Sequence, residues 1–193
     1  MPSPEPTATA RVRDARAMRA LAHPTRLRLL GELRLRGPQS VGRLSELLDE
    51  APGSVSYHVG KLAGAGLVEE APDLAHDRRE RWWRAVHATT TLEPTGPADD
   101  PEARAASVEL RRSIAAGLAE SLQRYLDQEA LLPPEWAAAA SSSDAVLHLT
   151  PGELTELVAE LDALTERWQQ RAGTPRGGTA PVVLAHHAYR RPE

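Results

Sequence analysis

The 193-residue chain contains no cysteine and a single lysine, Lys61. Without cysteine, disulfides, thiolate metal sites and thiol redox switching are all excluded. Cationic charge falls almost wholly to arginine, a bias that fits a GC-rich genome better than a selected chemistry. No apolar run approaches the roughly 20 residues needed to cross a bilayer. Met1-Pro2-Ser3-Pro4-Glu5 also lacks a secretory apolar core, so the expectation is a cytoplasmic protein without a membrane partner. The chain has no phosphate-cradling glycine motif, no nucleophile-elbow sequence and no His/carboxylate cluster on one helical face. An enzyme is therefore not expected.

Charge is low overall but unevenly placed. The net value is −4. Residues 1–88 carry 14 Arg/Lys against 11 Asp/Glu, whereas residues 89–193 carry 9 against 16. A basic half suits phosphate contact, and an acidic half suits self-association or sensing.

What is present is mostly helical periodicity. Residues 1–10 are rich in Pro, Thr and Ala and are expected to be disordered. A helix is expected from Arg11 to about Leu21, anchored by Val12, Met18 and Leu21. Pro24 suits the first turn of the next helix, which carries Leu27, Leu30 and Leu33 and ends near Gly37-Pro38. Val41, Leu44, Leu47 and Leu48 share one helical face behind a Ser40 cap. After a break at residues 49–53, Val55, Val59 and Leu62 form a second face that stops at Gly64-Ala65-Gly66. The residues left over on that second helix are Ser54, Ser56, Tyr57, His58 and Lys61, the hydrogen-bonding groups a helix needs in a DNA groove. Leu67-Val68 and Trp82 to Val86 read as a returning hairpin, with Trp82 and Trp83 on opposite faces. The pattern predicts a helix-turn-helix followed by a wing.

Residues 89–100 read as a linker and residues 101–130 as one long helix, with a stripe of Leu110, Ile114, Leu118, Leu122, Tyr125 and Leu126. A short helix can form between Pro134 and Ala140. The last fifty residues predict strand, helix, strand. Val146 to Leu149 and Val182 to Tyr189 are the strands. Thr150-Pro151-Gly152-Glu153 is a capping box, and Leu154, Leu157, Val158, Leu161, Leu164 and Trp168 make a clean helical face. The expected class is mostly α (α+β): a DNA-binding domain over 11–88, a dimerisation helix over 101–130, and a C-terminal dimerisation or effector region over 131–193.

His23-Pro24-Thr25-Arg26-Leu27-Arg28-Leu29-Leu30, Val55-Ser56-Tyr57-His58-Val59, Ala65-Gly66-Leu67-Val68 and Arg81-Trp82-Trp83-Arg84 together resemble the ArsR-type winged helix-turn-helix repressors of bacteria. The resemblance covers roughly residues 10–88. It implies a homodimer on a pseudo-palindromic double-stranded DNA operator, released when an effector binds. By resemblance Ser54, Ser56, Tyr57 and His58 contact bases and phosphates from a recognition helix of about 53–64. Lys61 and Arg43 would reach backbone phosphate, and Arg78, Arg79 and Arg81 would extend from a wing over 72–81 toward the minor groove. Leu110, Ile114, Leu118, Leu122 and Tyr125 would hold the dimer. The family's metal sensors use cysteine pairs before the recognition helix or histidines on the dimerisation helix; neither occurs here, so no metal and no cofactor is expected. Adjacent His186 and His187 would point oppositely in a strand. A small-molecule effector of unknown identity, or a winged helix that docks proteins without reading DNA, are the readings left open.

Overall fold

Short polar caps and turn residues set the element boundaries in the first part of the molecule. Asp14 accepts the Ala17 amide at 2.8 Å and opens α1 (Ala15–Leu21). Nδ1 of His23 accepts the Thr25 amide at 3.2 Å and opens α2 (Pro24–Arg36), with Pro24 in the first turn. Ser40 accepts the Arg43 amide at 3.3 Å and opens α3 (Val41–Leu48). Asp49 then turns the chain in the left-handed region, at φ 54°, a conformation its short polar side chain tolerates. Next comes α4 (Pro52–Ala63). Gly66, at φ 70°, makes the tight turn out of it.

The computed structural model describes residues 7–12, 14–74, 80–92, 100–172 and 176–192. They fall in two units, Met1–Leu126 and Asp127–Glu193. In the first unit β3 (Val68–Glu70) and β4 (Trp82–Ala85) form the expected antiparallel hairpin. The two-residue β2 (Gln39–Ser40) lies on the other edge of β4. Trp83 is buried and Trp82 half-buried, as the alternation of a strand dictates.

The core gathers one stripe from each helix. Leu29, Leu33, Leu44, Val55, Val59 and Leu62 are no more than 2% exposed. Each such burial contributes about 1.5–3 kcal/mol relative to exposure.

Three expectations for this unit change. Residues 7–12 are not disordered, and 11–12 are not helical. Thr7–Val12 is β1, paired in parallel with β5 (His87–Leu92), which takes the first residues of the expected linker. Threonine-rich segments face each other in that ladder, and β-branched residues favour strands. Arg34 of α2 anchors the pair, donating to the His87 carbonyl (2.9 Å) and the Thr90 hydroxyl (2.7 Å). Burial lowers the Arg34 pKa to about 10, so it stays charged at neutral pH. The third change concerns α5 (Pro101–Gln128), the long helix expected at 101–130. Leu110 is fully buried with Ala106 in the core of its own unit. It therefore cannot belong to a dimer face, because the first turns of α5 spend their small and apolar side chains on that core.

The second unit contains α6 (Pro134–Ala139) and α7 (Pro151–Ala172). The expected capping box is formed: Glu153 accepts the Thr150 amide (2.7 Å), and the Thr150 hydroxyl accepts the Glu153 amide (3.3 Å). The two expected strands are not. Neither Val146 to Leu149 nor Val182 to Tyr189 has a ladder partner among the described residues, and Val146 and Val182 are 71% and 74% exposed. β-branched residues favour a strand, but only a neighbouring strand makes one.

Candidate nucleic-acid interface

Helix α4 sorts its residues by face. Val55, His58, Val59 and Leu62 are buried, whereas Ser56, Tyr57, Gly60 and Lys61 are exposed. Tyr57 is 58% exposed, with Nζ of Lys61 lying 5.3 Å from its ring centroid. Two hydrogen-bonding side chains and a cation thus project from one surface. No side chain caps the first turn of α4, since Ala51 has no side-chain oxygen to offer.

His58 does not share that surface, contrary to the expectation of DNA contact. Its ring is buried against His23, with centroids 4.5 Å apart, and its Nδ1 has no hydrogen-bond partner. Spacing explains this: residues 55, 58, 59 and 62 are the i, i+3, i+4, i+7 stripe of a helix, so His58 lies on the core side by period alone. Burial, then His23 and Arg26, push its pKa down, and Glu50 opposes them. The imidazole is thus held toward its neutral form.

Ser54 is also committed inward. Its hydroxyl donates to Glu50 at 2.8 Å, and the Thr25 hydroxyl donates to the other oxygen of the same carboxylate at 2.8 Å. These two bonds hold the Glu50 pKa below the usual carboxylate range. The Thr25–Glu50–Ser54 bridge joins the start of α2 to the start of α4 and sets the direction of the outward face. Sequence reasoning missed it. The only signal available was Ser54 lying one helical turn after Glu50.

Around α4 the cationic groups differ in freedom. Arg43 on α3 is exposed and within 3.5 Å of Glu46. Arg81 pairs with Glu70 across the hairpin at 2.5 Å and lies 4.9 Å from the Trp83 ring centroid, so it is held along the sheet. Arg78 and Arg79 lie outside the described residues. At the C-terminal end of α4, Arg16, Arg19, Arg26 and Lys61 line a cavity of about 470 Å³. Arg19 is paired there with Glu102 at 2.5 Å. This concentration of cations was not anticipated.

Two helices joined by a left-handed turn, with an outward polar face on the second and an antiparallel hairpin following, form a recognisable unit. Residues 21–71 match the family model of the helix-turn-helix domain. This is a winged helix-turn-helix. Domains of that type place the second helix of the pair in the major groove of DNA. The winged helix is similar to two solved structures. One is an ArsR family transcriptional regulator, 25% identical, with 57% of this chain and 87% of that one covered, at a TM-score of 0.31. The other is a mutant of ZitR from Lactococcus lactis in apo form, 17% identical, with 77% and 83% covered, also at 0.31. The winged helix rests on the helix-turn-helix match and on the hairpin that follows it. No curated protein matches the chain. Among the described residues no helix is long and apolar enough to cross a membrane.

Proposed function

We propose that the chain is a homodimeric, sequence-specific DNA-binding regulator of transcription that represses by occupying a pseudo-palindromic operator. The observation that carries this is the outward face of α4: Ser56, Tyr57 and Lys61 are exposed while the opposite face is packed. Ser56 and Tyr57 are the groups for base edges or phosphate oxygens, and Lys61 and Arg43 the groups for the backbone. Ser54 and His58 act behind that face, by fixing the direction and seat of α4. The polar character of the face favours DNA over a protein-docking role, which would call for an apolar one.

The homodimer is supported by the outer part of α5. Leu122 and Leu126 are about half exposed, and Ile114, Leu118 and Tyr125 share their stripe. Control by thiol chemistry is excluded by composition.

Selection of bound fragments from random duplex DNA, followed by fluorescence anisotropy, tests the proposal. The selected site should be a short palindrome with salt-sensitive affinity. Replacing Ser56 and Tyr57 together by Ala should weaken specific binding roughly tenfold to a hundredfold with an unchanged unfolding curve. Unchanged affinity for the selected site would remove α4 from the interface.

A further inference from the structure

Helix α7 has no buried residue along its 22 positions, yet its apolar residues are not scattered. Leu154, Leu157, Leu161, Leu164 and Trp168 recur at alternating spacings of three and four. That is the spacing of a coiled-coil seam, with half-buried Val158 flanking it on one side. Leu164 is 39% and Trp168 54% exposed. Val146, Leu147, Val182, Val183 and Leu184, in the segments that flank the helix in sequence, are exposed as well.

The charges along the helix state what fits this seam. Glu153, Glu156 and Glu160 occupy its first half, Asp162 (3.5 Å from His186) and Glu166 its second, and Arg167 and Arg171 its last turns. Glu153, Glu160 and Arg167 all precede a seam residue by one position and so flank the seam on the same side. The Arg171 guanidinium folds back over the Trp168 ring, 4.9 Å from its centroid.

We infer that α7 pairs with α7 of a second copy of this chain, in antiparallel orientation. The inference rests on the homodimer reading above only in supplying a second copy. In the antiparallel register Leu161 meets the partner's Leu164, Leu157 meets the partner's Trp168, and Glu160 comes beside the partner's Arg167. Twofold symmetry repeats every contact. A parallel pair would instead set Arg171 against the partner's Arg171 at a seam position and leave the flanking glutamates without a cation. Like charges in apposition select against that arrangement.

The absence of native cysteine makes the test direct, because an introduced thiol is the only one in the chain. Full-length Leu161→Cys and Leu164→Cys variants are oxidised separately and as an equimolar mixture, then resolved without reductant. The mixture should give a covalent dimer and each variant alone should not. Cross-linking of either variant by itself would establish a parallel pair and overturn the orientation. No cross-link in any sample, with a dimeric mass in solution, would overturn the α7 interface while leaving a homodimer joined elsewhere. A monomeric mass at all concentrations would overturn the homodimer reading as well. Charge reversal gives a second measurement with the seam intact. Glu160→Arg and Arg167→Glu should each weaken α7 pairing, and the double variant should restore it; no restoration counts against the register.

Discussion

The two units of this chain use the same local device with opposite outcomes. Both α4 and α7 are amphipathic helices with proline in the first turn. In the first unit the apolar side of α4 is closed over by α2, α3 and the hairpin, and Val55, Val59 and Leu62 are fully buried. In the second unit a longer and more regular apolar side is left without a buried residue. Amphipathicity is a property of one segment, whereas burial belongs to a segment and its partner. The difference between the units is one of partners, not of pattern.

The sharpest way to break that comparison is a matched pair of truncations. Leu62→Ala should cost about 2–5 kcal/mol, because it opens a cavity in a closed core. Leu164→Ala, at low protein concentration, should cost less than about 1 kcal/mol, since that side chain already meets solvent. Denaturant unfolding followed by circular dichroism reads both. Equal losses would mean that α7 is as firmly packed as α4.

A smaller effect sharpens the description of the first unit. His58 is surrounded by His23, Arg26, Glu50 and Tyr57, and its folded pKa lies below the ordinary value. The unfolded chain then binds the proton first as pH falls. The stability His58 contributes is complete above about 6.5, the reference imidazole pKa, and declines as pH drops from there toward the folded value. Unfolding free energies measured between about pH 5 and 8 should show that decline, and His58→Leu should flatten it. An unchanged slope in the variant would assign the pH dependence to another group.

The smallest effect concerns the caps, where both units were equally legible. Ser40→Ala removes a buried cap and should cost about 1 kcal/mol. Thr150→Ala removes an exposed one and should shift only α7 helicity, by a few tenths of a kcal/mol. Comparable losses in global stability would show that α7 folds cooperatively with its surroundings.

These contrasts also mark what could be read from residues alone. Ser40, Thr150 and Pro24 announce their helices because capping is settled within four residues, whereas Pro52, read as part of a break, in fact opens α4. The β3–β4 hairpin is similarly local, and alternation puts one of Trp82 and Trp83 inward without saying which. The β1–β5 ladder was invisible, since its strands are some eighty residues apart and nothing in a threonine-rich segment names its partner. The tail illustrates the reverse error: Val146 to Leu149 and Val182 to Tyr189 have strand composition but no ladder. His58 was legible and misread, because its polarity was given more weight than its place in the helical period. The Glu50 bridge was not legible, because Thr25 reaches it from a different helix.

The parallel pairing of β1 with β5 has a mechanical consequence. Five paired positions run from Thr7 opposite His87 to Val12 opposite Leu92. Because the strands point the same way, the N-terminal end of β1 and the C-terminal end of β5 leave the ladder at opposite ends. Tension along the chain therefore loads all the rungs together in shear instead of unzipping them one by one. The strands that bracket the winged helix act as a clasp, and a pull transmitted through α5 meets that clasp before it reaches the helix that carries Ser56 and Tyr57.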